Sequence, residues 1–248
     1  MSRTLPLDSW ENQLLEWNLR PLRYTADVVG RRKYDEGCAV AHSLDLIGER
    51  WALLIARELL LGPKRFTDLR AGVPGASADV LTQRLRELMD AGVVRQTKLP
   101  PPAGSKVYEL TTWGAELEPV VTHLGRWGSR SPSMNHDAER SVDSLVLSLR
   151  ALFDSQAAHG FTATIALRLG ENTFRVEVAD SEIHLARGDA EGPTATLVTG
   201  PSTLATLIYG DRPLDDAVRS GDATITGKTA AVTRLLRLVR LPEPANAD

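Results

Sequence analysis

The chain has 248 residues, of which 42% are hydrophobic and 25% charged, and its net charge is −3. This length has room for one large or two modest domains, and we predict two. The longest apolar runs are too short to span a bilayer, and the N-terminus lacks the apolar core of a signal peptide. The sequence therefore predicts a cytoplasmic protein with no membrane partner. The single cysteine, Cys38, excludes an intramolecular disulfide and a cysteine-rich zinc site.

Basic side chains are concentrated in the first half of the chain. Residues 1–130 hold 18 basic and 16 acidic side chains, whereas residues 131–248 hold 11 and 16. Within residues 62–108 there are 8 basic and 4 acidic side chains. This local excess suits contact with phosphates but is small beside that of a strongly basic nucleic-acid-binding domain. Charge by itself supports DNA binding only weakly.

Residues 1–33 form an N-terminal extension. Apolar residues at helical spacing predict a short helix from Asp8 to about Arg20, ended by Pro21. The basic stretch at 28–33 is interpreted as an exposed linker, with a phosphate-contacting arm as the alternative.

Three helices are predicted next. Apolar positions on one face predict a helix over 38–47 and a second over 51–61. A small third helix begins at Thr67 and is stopped by Gly72, and a tight turn follows at Gly75.

The longest of the helices predicted so far runs from Ser77 to Gly92. Ser77 can cap its first turn, and Gly92 can end it in a left-handed conformation. Leu81, Leu85 and Leu88 form one apolar stripe. The opposite side offers groups that can bind base edges in a major groove, namely Asp79, Thr82, Gln83 and Arg86. The alternative is an ordinary solvated helix surface.

The order of short helix, turn and longer polar-faced helix is that of a helix-turn-helix. Residues 93–99 and 106–111 then predict two strands of a β-hairpin, whose tip is flanked by Lys98 and Lys106. Such a hairpin has the form of a DNA-contacting wing, and the combination is far more specific than either part. A further helix, predicted over 113–127 with Thr112 as its cap, carries an apolar stripe that needs either this domain's core or a second subunit.

Residues 38–128 resemble the HxlR-type winged-helix regulators. The segments that carry the resemblance are Cys38-Ala39-Val40-Ala41, Leu44 to Trp51, Arg65-Phe66-Thr67-Asp68-Leu69, Ser77 to Leu88, Gly92-Val93-Val94-Arg95 and Tyr108-Glu109-Leu110-Thr111. The resemblance implies a homodimeric bacterial transcription regulator that binds double-stranded DNA. In many members proline follows the leading cysteine, where this chain has Ala39, and residues 1–33 are an unusually long extension.

The residues expected to contact DNA combine the predicted helix and the wing. Gln83 and Arg86 are expected to determine sequence preference, and Arg84 is expected to contact a phosphate. The full expected set is Ser77, Asp79, Thr82, Gln83, Arg84, Arg86, Lys98, Ser105 and Lys106. Function as a protein-interaction adaptor without DNA binding is the alternative.

Cys38 is a possible redox site. The resemblance implies that some relatives sense oxidants or electrophiles through a cysteine at this place, and a thiol near a dimer seam can form an intersubunit disulfide where geometry allows. The alternative is a small buried apolar residue, which is the usual role of an unpaired cysteine.

The second half of the chain differs in pattern. A linker at 130–140 leads to a helix over 142–153, and alternating apolar residues then predict strands near 161–169, 174–178, 183–185 and 195–199. Helices opened by proline are predicted at 201–209 and 213–219, followed by a short strand at 224–226 and a final helix over 229–240.

This order of elements looks like the sterol carrier protein type 2 fold over about 140–241, with Gly221 to Gly227 leading into the last helix. The resemblance implies an apolar cavity between the sheet and its helices, whereas the alternative is an ordinary packed core. Candidate lining residues for an acyl, sterol-like or polyketide-like effector are Phe153, Phe161, Ile165, Phe174 and Leu207. This second domain is unnecessary for DNA binding itself, so we infer that it is regulatory.

The predicted fold class is α+β. A winged helix-turn-helix domain at 34–129 precedes a sterol carrier-like domain at 141–241 that contains a small, mainly antiparallel sheet, and a tail follows at 242–248. The five histidines share no metal-ligand spacing, and the sequence contains no phosphate-binding loop, dinucleotide fingerprint or nucleophile elbow. We therefore predict no enzyme activity, no metal and no cofactor.

Overall fold

The computed structural model describes residues 33–100, 104–135, 138–210 and 212–245. The chain divides into two units, residues 1–45 and 46–248. The helix predicted at 8–20 and all but the last residue of the basic segment at 28–33 lie outside the described residues. Helix α1, Ala39–Ile47, begins in the first unit, where the backbone N–H of Tyr34 donates to the carboxylate of Asp45 at 3.0 Å.

The second unit opens with helices and a hairpin, in the order predicted for a winged helix-turn-helix. Their bounds are α2 Ala52–Leu59, α3 Phe66–Gly72, α4 Ala78–Asp90, β1 Val94–Lys98, β2 Lys106–Leu110, α5 Thr112–Ala115 and α6 Leu117–Gly128. The apolar stripe predicted for α4 is confirmed, because Leu81, Leu85 and Leu88 are all buried in one hydrophobic core. Gly92 has φ +72°, the left-handed conformation expected after the helix.

Two helix starts differ from the sequence prediction. The second helix begins at Ala52 and not at Trp51, because Trp51 has φ +80° and cannot belong to a right-handed helix. The cap after the wing is Thr111 and not Thr112. The Thr111 hydroxyl accepts from the N–H of Gly114 at 2.9 Å and donates to the carbonyl of Gly92 at 2.7 Å, which fixes the chain before Thr112. The helix predicted over 113–127 is also divided, into α5 and α6.

Residues beyond 141 form a five-stranded sheet with four helices. The elements are α7 Val142–Ala151, β3 Ala163–Leu169, β4 Asn172–Ala179, β5 Glu182–Arg187, β6 Ala195–Thr199, α8 Pro201–Tyr209, α9 Leu214–Arg219, β7 Ala223–Gly227 and α10 Thr229–Leu238. The strand order is β5-β4-β3-β6-β7. The sheet is mainly antiparallel, as predicted, but β3 and β6 pair in parallel with Leu167 opposite Leu197.

This sheet has its own hydrophobic core. Alternate residues of the central strands, such as Ile165, Phe174 and Val176, are fully buried on the side that packs against helices. The intervening Arg168 and Arg175 are exposed. The described part of 46–248 therefore contains two hydrophobic cores, one for the winged helix-turn-helix elements and one for the sheet.

Candidate nucleic-acid interface

The turn between α3 and α4 is shaped by a close approach of the backbone to Trp51. A Cβ at Gly75 would lie 2.5 Å from a ring carbon of Trp51, closer than real side chains approach. Leu69 of α3 and Leu81 of α4 are both fully buried next to this turn. The apolar residues therefore fix α4 in the domain and leave its polar side facing outward.

The outer face of α4 consists of exposed side chains at helical spacing, Asp79, Gln83 and Arg86, with Thr82 half-buried beside them. The amide nitrogen of Gln83 donates to Glu87 at 3.1 Å. No hydrogen bond or ion pair joins Arg86 to any part of the chain that the structure describes. Its guanidinium is thus available for a bidentate contact with guanine.

The two predicted hydroxyl contacts also have structural roles. Ser77 accepts from the N–H of Val80 at 3.3 Å as the cap of α4, and Thr82 donates to the carbonyl of Ala78 at 2.8 Å. Ser77 keeps its own hydroxyl proton for an outside acceptor. Asp79 lies in the first turn, where a carboxylate can accept from the amino group of cytosine but would repel a phosphate.

Arg84 is bound within the protein. Its guanidinium forms an ion pair with Glu87 and lies 3.5 Å from the carboxylate of Glu49, and its side chain is 15% exposed. The phosphate contact predicted for Arg84 would require these two ion pairs to break.

The wing brings two lysines face to face. In the antiparallel register of β1 and β2, Lys98 lies directly opposite Lys106, and both are exposed. Like charges at directly opposed positions destabilise a hairpin, and a bound anion offsets this repulsion. Ser105 is adjacent, and its carbonyl accepts from the N–H of Leu99 at 2.9 Å. The end of the wing beside its tip is therefore suited to phosphate binding.

Sequence reasoning missed two residues beside the start of α4. Thr67 and Arg70 of α3 line a groove of about 560 Å³ together with Ser77. Arg70 is exposed and sits next to the positive end of the α4 dipole, a combination that attracts phosphate. The available signal was an arginine in the last turn of the first helix of a helix-turn-helix.

Cys38 is exposed at the start of α1. The backbone N–H groups of Ala41 and Val40 hold the pKa of its thiol below its ordinary value, because they stabilise the thiolate. The alternative of a buried apolar cysteine is wrong for this chain.

The five candidate ligand-binding residues belong to the hydrophobic core of the five-stranded sheet or pack against it. Ile165 and Phe174 are fully buried within it, and Phe153, Phe161 and Leu207 are partly buried against it. Phe153 also lines a cavity of about 510 Å³ between α6 and α7. Another cavity, of about 450 Å³, lies between α8 and residues 138–140.

Among the described residues, no group of three or more histidine, cysteine, aspartate or glutamate side chains could hold a metal ion. Within the described ranges, every helix is too short or too polar to cross a bilayer.

A polar-faced helix that follows a tight turn and is joined to a two-stranded hairpin defines a winged helix-turn-helix protein. The sequence model of the HxlR-like helix-turn-helix family matches residues 46–136. The chain belongs to this family and is a transcriptional regulator of the HxlR type, as the sequence resemblance predicted.

Two curated relatives support the assignment, and one solved structure is also similar in sequence. The uncharacterised HTH-type transcriptional regulator YdeP of Bacillus subtilis is 37% identical over 95 residues, which cover 38% of this chain and 74% of that protein. YvaP of the same organism, also named as an HTH-type transcriptional regulator, is 34% identical over 87 residues, covering 35% of this chain and 81% of its own length. The solved structure of the redox regulator HypR in its oxidised form has 32% sequence identity, covers 39% of this chain and 100% of that chain, and has a TM-score of 0.37.

The second half of the chain matches a different family model. Residues 135–246 are similar to the family described as alkyl sulfatase C-terminal. The sterol carrier-like resemblance of this region stays a prediction.

Proposed function

We propose that this regulator binds operator DNA as a cytoplasmic homodimer without enzyme activity, and that 34–129 and 141–241 act as its DNA-binding and regulatory domains. α4 enters the major groove, and the wing lies on the flanking backbone. The observation that carries this proposal is the exposed pair Gln83 and Arg86 on α4, together with the opposed and exposed lysines Lys98 and Lys106 in the wing. Gln83 and Arg86 are suited to contacts with bases, and the two lysines are suited to contacts with phosphates.

The proposed dimer rests on the apolar face of α6. Val120 and Leu124 are 49% and 47% exposed, and Trp127 at the end of the same helix is 74% exposed. Large apolar side chains grouped in this way on one helix are typical of an interface. A second copy of the chain would cover them in a symmetric contact.

Lys106→Ala is expected to weaken binding of the full chain to all duplexes by a similar factor. It should reduce the slope of log affinity against log salt by about 1, because one phosphate contact is lost. Fluorescence anisotropy with specific and unrelated duplexes at several salt concentrations measures both effects. The matched control is Lys228→Ala, an exposed lysine at the start of α10 that should leave binding unchanged.

An unchanged salt slope in Lys106→Ala would contradict the assigned role of the wing. If the unmodified chain also fails to shift fragments of its own promoter, the protein-interaction adaptor becomes the better interpretation.

The regulatory domain is proposed to hold an apolar effector near Phe153, Phe161 and Leu207, which lie at the edge of the sheet core. Binding alters DNA affinity only if the effector prefers one arrangement of the dimer. Native mass spectrometry of freshly purified protein, followed by operator binding with any compound found, tests this. If the domain is free of ligand and operator affinity does not respond to a library of lipids and aromatic compounds, the effector proposal is wrong. The domain is then better interpreted as a dimerising or partner-binding module.

Redox sensing through Cys38 is a second candidate function, favoured by its exposure and its lowered pKa. The thiolate should form at lower pH than in free cysteine, so alkylation by iodoacetamide should be faster at neutral pH. Cys38→Ser is expected to abolish any diamide-dependent change in operator binding. A serine variant that keeps the diamide response would refute this second function.

A further inference from the structure

Five charged or polar side chains meet where the winged helix-turn-helix elements contact the sheet domain. The winged helix-turn-helix elements contribute Glu58 of α2 and Lys64 of the loop that follows. The sheet domain contributes Ser141, Asp143 and Arg187. They line a cavity of about 540 Å³ between the two cores. We call these five residues the junction cluster.

Lys64 lies between the two buried carboxylates of the junction cluster. Its ammonium donates to Oε2 of Glu58 at 2.6 Å and lies 2.8 Å from Oδ2 of Asp143. The second contact is ionic, since its geometry at Oδ2 is not that of a hydrogen bond. Glu58 and Asp143 are 0% and 2% exposed, so their charges depend on these partners.

The backbone of Lys64 pairs with the wing. Its N–H donates to the carbonyl of Tyr108 at 2.9 Å, and its carbonyl accepts from the N–H of Tyr108 at 2.8 Å. Tyr108 lies in β2, opposite Gln96 of β1. An isolated two-stranded hairpin is marginally stable, and Lys64 supplies a bridge to its second strand.

Asp143 is in turn fixed to the sheet core. It accepts from the guanidinium of Arg187 in β5, and Arg187 also donates to the side chain of Asn172 at 2.9 Å. The guanidinium lies over the ring of Phe174, with 4.8 Å between Cζ and the ring centroid. The contacts are therefore continuous from the sheet core through Asp143 and Lys64 to the wing.

We propose that Lys64 is a positioning residue for DNA binding, through which Asp143 of the sheet domain holds the wing in place. Loss of the ion pair between Lys64 and Asp143 leaves the short bridge between Lys64 and Tyr108 without its anchor. The strand β2 can then move at Tyr108, two residues from Lys106. The expected effect on DNA rests on the proposed function, whereas the effect on the wing does not.

Two full-chain variants test this, Lys64→Met and Asp143→Asn. In Lys64→Met both buried carboxylates keep a cation, because Glu58 keeps Arg57 and Asp143 keeps Arg187. In Asp143→Asn, Glu58 keeps both Arg57 and Lys64. Amide hydrogen exchange of β1 and β2 without DNA is expected to accelerate in both variants, with β3 and β4 unchanged. Operator affinity should fall about fivefold or more, and the double variant should lose little beyond either single one.

The matched control is Asp222→Asn, which removes an exposed ion pair with Arg212 inside the sheet domain. It should leave both wing exchange and operator affinity unchanged. Lys64→Arg should restore wing protection if the charge is what matters. If Asp143→Asn does not fold, Arg187→Met releases Asp143 from β5 and should accelerate wing exchange in the same way.

Folded variants with unchanged exchange of β1 and β2 would overturn the positioning role of Lys64. Accelerated wing exchange together with unchanged operator affinity would overturn its effect on DNA. Failure of the unmodified chain to bind DNA would instead count against the proposed function, and the exchange measurement would still decide whether Lys64 anchors the wing.

Discussion

Substitution of Glu58 with alanine is expected to lower the free energy of unfolding by about 3–5 kcal/mol, the range found when one member of a buried ion pair is removed. Glu58 is fully buried and accepts from Lys64, Arg57 and Ser141. Removal leaves these donors without their shared acceptor. The loss should lie at the lower end of the range, because Lys64 keeps Asp143 and Arg57 is 20% exposed. Urea denaturation followed by circular dichroism measures it.

Glu58→Gln separates charge from shape, since it keeps the volume but cannot neutralise two cations. We expect an intermediate loss of stability. Asp216→Ala removes an exposed ion pair with Arg219 and should cost less than about 1 kcal/mol. A Glu58→Ala protein as stable as Asp216→Ala would mean that the buried carboxylate contributes little and that the junction cluster is not a stabilising feature.

The sequence could not predict this cluster, because its members are far apart along the chain. Glu58 and Ser141 are separated by 83 residues. Gly72 predicted only a helix end, whereas a Cβ there would lie 2.1 Å from Oε2 of Glu58. The glycine is needed because a buried carboxylate occupies the space that its side chain would fill.

Helix α4, in contrast, was predictable because its signals are local. Its cap, its leucine stripe and its glycine stop all lie within sixteen residues, and each has the role that its chemistry predicts. The parallel pairing of β3 with β6 depends on contacts across about thirty residues and left no local signal. The outward direction of Gln83 and Arg86 followed from the leucine stripe, but the internal ion pairs of Arg84 required the fold.

Gln83→Ala and Arg86→Ala together are expected to cost roughly 2–6 kcal/mol of operator affinity, as the sum of two base contacts worth about 1–3 kcal/mol each. Arg86→Ala should have the larger effect, because its guanidinium is exposed, whereas Gln83 must first leave its hydrogen bond with Glu87. Selection of preferred duplexes from a random pool, followed by titration at fixed salt, measures affinity and sequence preference together.

The double variant should bind unrelated duplexes almost as well as the unmodified chain does, because Lys98 and Lys106 still contact phosphates. The small expected loss of this non-specific affinity comes from the missing charge of Arg86. Its preference should relax most at a guanine opposite Arg86 and at an adenine opposite Gln83. Asp90→Ala is the matched control, since Asp90 is exposed at the far end of the same helix and its loss removes only a repulsive charge. If the double variant selected the same duplexes with unchanged affinity, α4 would not be the helix that binds bases, and the exposed Arg70 of α3 would be the next residue to test.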